Sequence, residues 1–202
     1  MLERFRAFWT KVFSPVARFF LRLGISPDAV TVVGTLGVCV GALGFFPRGQ
    51  LLVGVLVVTA FVFSDLVDGH MARLSGTSSK WGAFLDSTLD RFGDAAIFGG
   101  LALYYIGPGD SDLWAGLTLY CLVMGSVTSY ARARAESLGF QAKGGIAERS
   151  DRLVAILLMT GLADLLNLSV LLPLTLALLA LASTITVIQR ILLVRGQARA
   201  TA

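Results

Sequence analysis

Four aspartates, Asp65, Asp68, Asp86 and Asp90, are set at regular spacings in apolar surroundings. Arg73, Arg91 and Asp94 stand near them in the same two stretches. A charge inside a membrane helix costs about 2.5–3.5 kcal/mol on insertion scales. One such residue is accounted for by a snorkelling side chain or a buried ion pair. Five carboxylates against two arginines leave uncompensated negative charge, which in low dielectric needs a cation or the protonation of several acids. Spacing sharpens the requirement. Asp65, Asp68, Gly69, Ala72 and Arg73 follow i, i+3, i+4, i+7 and i+8, one face of a helix. Gly82, Asp86 and Asp90 follow i, i+4 and i+8, again one face. If residues 74–80 turn the chain back, Asp68 stands level with Asp86 and Asp65 with Asp90. Four oxygen donors with no soft ligand nearby favour Mg²⁺ or Mn²⁺ over zinc. Gly69 and Gly82 leave room for a bulky ligand to approach the backbone.

Membrane helices are expected to carry these residues. The chain is 55% hydrophobic and only 15% charged, with a mean hydropathy of +0.77; a soluble domain carries roughly a quarter charged residues. The apolar runs recur along the whole length. The fold class expected is all-α, one polytopic membrane domain over residues 1–202. An amphipathic helix lying in the membrane interface is expected over residues 1–22, with Leu2, Phe5, Phe8, Trp9, Val12, Phe13 and Val16 on one face. A six-helix bundle is expected over 28–194, with spans near 28–46, 50–74, 80–106, 113–137, 150–168 and 170–194. Ser26-Pro27-Asp28 opens the first span as N-cap, first-turn proline and dipole-complementing acid. The weakest boundary is at Asn167, because residues 153–194 are almost continuously apolar. Apart from Arg48 and Arg91, every Lys and Arg falls on one side of this topology. Both termini are therefore expected in the cytoplasm. The net charge of +4 is explained by anionic lipid headgroups and calls for no nucleic acid. Cys39 and Cys121 are isolated and match no metal or disulfide spacing, and no cleavable signal peptide is legible.

The residues Asp65-x2-Asp68-Gly69-x2-Ala72-Arg73-x8-Gly82-x3-Asp86-x3-Asp90 resemble the signature of the CDP-alcohol phosphotransferase family in every defined position. The six-span topology and amphipathic N-terminus are also similar to that family. The resemblance implies an Mg²⁺-dependent two-metal centre, with Mn²⁺ as a substitute, held by Asp65, Asp68, Asp86 and Asp90. It makes Asp90 the general base as well as a ligand. It assigns Asp28, Thr31, Gly69, Arg73 and Ser79 to the CDP moiety of a CDP-diacylglycerol donor, although helix capping alone would account for Asp28. It implies a homodimer in the cell membrane. Two metals can neutralise a pyrophosphate and stabilise charge on attacking and leaving oxygens. An adjacent carboxylate can take the proton of an acceptor hydroxyl.

Acceptor choice is read from a second basic set. Arg132 and Arg134 close span four, Arg152 opens span five and Arg190 lies in span six. Gathered together, they would suit an acceptor that already carries phosphate. Lys143, Arg149, Arg195 and Arg199 read as positive-inside anchors. The segments SYARARAE, GIAERSDR and QR resemble the branch of the family that uses inositol phosphate, and the alternative acceptor is glycerol 3-phosphate. A different class, a cation- or proton-coupled transporter, also places acids in membranes. Such transporters usually carry internal repeats, and residues 110–202 contain no second copy of the acidic hairpin. His70, at a variable position of the motif, reads as filler, and Asp94 as a partner for Arg91 or another polar group.

Overall fold

A computed structural model describes residues 14–77 and 79–200, without the side chains of 64–66. The described residues form only helices. Helix α1 is described over 14–22; the remainder of the expected interfacial helix, residues 1–13, lies outside the described residues. There follow α2 (Pro27–Phe45), a 3-10 turn (Phe46–Arg48), α3 (Leu51–Val62), α4 (Ser64–Ser75), α5 (Lys80–Ile106), α6 (Asp112–Ser137), α7 (Arg149–Leu165) and α8 (Leu171–Ala200).

Local chemistry explains where these helices start and stop. The Ser26 hydroxyl accepts from the Ala29 N–H at 3.2 Å, with Pro27 in the first turn. Ser79 caps α5 in the same way, accepting from the Gly82 N–H at 3.0 Å. Helix α4 ends at Gly76, whose φ of 68° is left-handed, and the Thr77 N–H returns to the Ala72 carbonyl. Asn167, with φ 54°, separates α7 from α8. The segment expected as one helix over 50–74 is interrupted at Phe63, which keeps right-handed geometry (φ −64°, ψ −19°). Helix α7 is shorter than expected and α8 runs on to Ala200, since no glycine cap or proline intervenes between Pro173 and the C-terminus other than Gly196.

Helix α2 packs on α3, α4 and α5; α6 packs between α5 and α8; α3 and α8 both meet α7. The core runs through Val38, Ala42 and Phe46 of α2 and the 3-10 turn, Ile97 and Leu101 of α5, Ile156 of α7 and Leu176 of α8. Helices α2 and α5 approach backbone to backbone: a Cβ added at Gly100 would lie 2.8 Å from the Ala42 carbonyl oxygen. Helix α1 is seated by Ala17 against Val67 and Met71 of α4. The outer faces carry exposed Val33, Leu36, Val40, Leu178 and Leu181, a surface suited to lipid. Four segments, Pro27–Arg48, Leu51–Ser75, Asp112–Ser137 and Leu171–Ala200, are long and apolar enough to cross a membrane. Helix α5 is long, but it carries Asp86, Asp90, Arg91 and Asp94. Helix α7 has 17 residues, including Arg149, Asp151, Arg152 and Asp164.

Candidate active site

The hairpin of α4 and α5 closes against the start of α2 around a cavity of about 270 Å³. Asp68, Gly69 and Arg73 reach it from α4, Gly82 and Asp86 from α5, and Asp28 and Thr31 from α2; Ser79 lines it from the connection. All five residues expected to hold a CDP moiety therefore meet in one cavity with two of the four aspartates. The meeting follows from the spacing: residues on one stripe of α4 face residues on one stripe of α5, and Gly76 and Ser79 set the turn between them. Gly69 and Gly82 keep the floor low. A Cβ at Gly69 would meet only the Arg73 guanidinium, at 3.7 Å, and one at Gly82 only the Ser79 hydroxyl and the Asp28 carboxylate, at 3.5 and 3.8 Å. Side chains there would fit the fold but would occupy the cavity.

Asp68 is 6% exposed, and its Oδ2 is buried without a hydrogen-bond partner among the described residues. Asp86 and Asp90 are close enough to act electrostatically on it. A buried carboxylate oxygen with no donor, beside two further carboxylates, fits a hard divalent cation. Asp68, Asp86 and Asp90 do not by themselves close a three-ligand set among the described residues. The side chain of Asp65, the fourth expected ligand, lies outside the described residues. Asp90 sits one turn beyond Asp86, outside the 270 Å³ cavity, and its Oδ1 meets the Arg149 guanidinium at 2.8 Å.

Three features go beyond the sequence reading, and a fourth, the pairing of Asp94 with Arg91, agrees with it. Arg149, read as a membrane anchor, bridges Asp90 and Asp94, with Nε donating to Asp94 Oδ1 at 3.0 Å. Asp94 also meets Arg91 at 3.5 Å, and Arg91 donates to the Ser129 hydroxyl of α6. Trp81 donates from Nε1 to Asp28 Oδ2 at 3.0 Å, so Asp28 is oriented from α5 as well as standing in the first turn of α2. His70 is 7% exposed and its Nε2 lies 2.9 Å from the Ser14 hydroxyl, tying α4 to α1. The Asp28 pair carried a sequence signal, an exposed tryptophan beside a motif glycine; the Arg149 bridge, across 55 and 59 residues, carried none.

The four arginines expected at an acceptor phosphate divide into two pairs. Arg152 is 2% exposed and donates to the Ala147 and Gly125 carbonyls at 3.0 and 3.4 Å. Arg190 is 4% exposed and donates to the Thr128 and Gly144 carbonyls at 2.6 and 3.2 Å. Arg152 of α7 therefore ties the 138–148 connection to α6, and Arg190 of α8 does the same. Arg190 also lines a cavity of about 450 Å³ together with Lys143 and Gln189. Arg132 pairs with Glu136 at 3.0 Å on the exposed end of α6, and Arg134 donates to Ser137 at 3.4 Å. No described cavity is lined by all four.

Comparisons with known proteins agree with the motif. Residues 24–194 match the CDP-alcohol phosphatidyltransferase family model. The phosphatidylinositol phosphate synthase of Cutibacterium acnes is 53% identical over 202 residues, covering 96% of this chain and 98% of that one. The enzyme of the same name from Streptomyces avermitilis is 50% identical, covering 98% and 84%. The crystal structure of Mycobacterium tuberculosis phosphatidylinositol phosphate synthase (PgsA1) with CDP-DAG bound superposes with a TM-score of 0.88 at 41% identity, covering 91% of this chain and 94% of that one. The same protein in complex with manganese and citrate gives 0.85 at 42% identity, covering 90% and 88%. The chain, a multi-pass membrane protein by its helices, belongs to the CDP-alcohol phosphatidyltransferase family.

Proposed function

We propose that this protein transfers the phosphatidyl group of CDP-diacylglycerol to inositol phosphate, releasing phosphatidylinositol phosphate and CMP. The observation that carries the reading is the 270 Å³ cavity in which Asp68, Asp86, Gly69, Arg73 and Asp28 converge. The names of relatives at 50% and 53% identity favour inositol phosphate over glycerol 3-phosphate as acceptor.

Asp65, Asp68, Asp86 and Asp90 would hold two divalent ions, Mg²⁺ or Mn²⁺; the buried Asp68 Oδ2, which has no hydrogen-bond partner among the described residues, supports this. Bound there, the ions supply neutralisation of the pyrophosphate and of charge on the leaving CMP. The chain's own residues do the rest. Arg73 offers a guanidinium fork to a phosphate oxygen. Asp28, Thr31 and Ser79 present oxygens to the nucleotide, and Gly69 and Gly82 let it lie against backbone. Asp90 takes the proton of the attacking hydroxyl. Arg132, Arg134, Arg152 and Arg190 are assigned to the acceptor phosphate. For Arg152 and Arg190 this requires the 138–148 connection to yield a carbonyl contact when the acceptor arrives.

The proposal includes six crossings, with α3 and α4 together forming the second and with α5 and α7 completing the set. Residues 1–202 then make one domain, its first helix lying in the interface of the cell membrane. Both termini and the cavity face the cytoplasm, a reading supported by the one-sided distribution of Lys and Arg. The active form is a homodimer. The test is Asp90→Asn in purified protein. CDP-diacylglycerol should still bind and CMP release should be lost; release at the wild-type rate would end the assignment of Asp90. Full activity after thorough chelation would end the two-metal reading.

A further inference from the structure

Arg149 opens α7 and is 29% exposed at its side chain. Its guanidinium spans two carboxylates one turn apart on α5: NH1 to Asp90 Oδ1 at 2.8 Å and Nε to Asp94 Oδ1 at 3.0 Å. Asp94 is itself immobilised. It is 6% exposed, and its second oxygen faces Arg91, which is held in turn by Ser129 of α6. A run of charge-assisted contacts therefore leads from α6 through Arg91, Asp94 and Arg149 to Asp90, and Arg91 itself lies 3.9 Å from Asp90 Oδ2, a longer contact than the 2.8 Å one made by Arg149. Arg149 is absent from the linings of both the 270 Å³ and the 450 Å³ cavities. The space it shares with Asp90 measures about 20 Å³, room for one water and no substrate group. Its charge is already answered by the better-buried Asp94. The contact with Asp90 thus serves the orientation of Asp90, because a fork fixed at one end restricts what its other end holds.

We propose that Arg149 is a positioning residue for Asp90, anchored by Asp94, and that it keeps the Asp90 carboxylate at the angle needed for metal and acceptor hydroxyl. The proposal rests on the reading of Asp90 as ligand and base given above. Lysine cannot bridge both carboxylates, so Arg149→Lys and Arg149→Gln should behave alike. A misplacement of this kind costs about 100-fold in kcat, with the KM of both substrates moving about threefold at most.

The test measures CMP release and, separately, Mn²⁺ binding by electron paramagnetic resonance with no lipid or acceptor present. Loss of an orienting partner weakens metal affinity by about tenfold. If Arg149 were only a counter-ion competing with the metal, its removal would tighten Mn²⁺ binding. In the double variant Asp94→Asn with Arg149→Gln, the loss in kcat should not exceed that of Arg149→Gln alone, since both act through one contact. Unchanged or tighter Mn²⁺ binding, restoration of kcat by Lys, or additive losses would each overturn the proposal. Melting temperatures in detergent distinguish these results from unfolding; if Arg149→Gln does not fold, Arg149→Lys carries the same Mn²⁺ comparison. A wild type that releases no CMP with inositol phosphate would refute the acceptor assignment, while the Mn²⁺ comparison would still decide this one.

Discussion

Asp68→Asn should reverse the order of stabilities between metal-free and metal-loaded protein. Asp68 is 6% exposed and its Oδ2 has no partner among the described residues. Leaving a buried acceptor unsatisfied costs about 1–3 kcal/mol, and more when it is charged. Asparagine keeps the shape and removes the charge, so in chelator the variant should be more stable than wild type by about 1 kcal/mol or more. A ligand present at about 100 times its dissociation constant contributes roughly 2.7 kcal/mol to wild type. For a chain of this length each kcal/mol moves the midpoint by about 2–4 °C. Wild type should therefore gain about 5–11 °C on adding Mn²⁺ in detergent. The variant should gain little and melt below wild type in Mn²⁺ while melting above it in chelator. The assay is a thermal melt of both proteins with and without metal. An Asn variant that is less stable in chelator, or that keeps the full metal shift, would refute the claim that Asp68 is a carboxylate waiting for a cation.

Gly69→Ala should not lower the melting temperature, since the new Cβ meets only Arg73 at 3.7 Å and alanine favours the helix over glycine. Its methyl would stand in the cavity, and nucleotide titration should record an affinity loss of about tenfold. Gly100→Ala is the opposite case: its Cβ would lie 2.8 Å from a backbone carbonyl of α2. A melt should register about 1–3 kcal/mol of destabilisation with nucleotide affinity preserved. Trp81→Phe removes the donor to Asp28. CDP-lipid affinity should fall by no more than about tenfold, the equivalent of a net hydrogen bond of 0.5–1.5 kcal/mol, with kcat retained.

Punctuated elements are legible in the sequence. Helix α5 begins and ends where expected because Ser79 caps it and Gly107-Pro108 follows it. The convergence of Asp68, Gly69, Arg73, Gly82 and Asp86 was legible because helical periodicity and one turn determine it. The interruption at Phe63 was not: an unbroken apolar run carries no mark of a one-residue distortion. Nor was the extension of α8, whose last turns bear Arg195, Gln197 and Arg199 in place of an apolar stripe. Arg149 was misread because a basic residue at a helix start next to a basic connection has the composition of an anchor. Only the packing of α7 near α5 reveals the two carboxylates opposite it. The bonding of Arg152 and Arg190 to carbonyls was hidden for a related reason: the acceptors are backbone atoms, which every sequence has.

The transfer reaction and its acceptor are decided by CMP release from CDP-diacylglycerol by the purified protein with Mg²⁺, offered inositol phosphate, free inositol or glycerol 3-phosphate in turn. Rapid release is expected with inositol phosphate and little with the other two. Release with glycerol 3-phosphate alone would contradict the acceptor, and no release with any alcohol would contradict the transfer reaction itself.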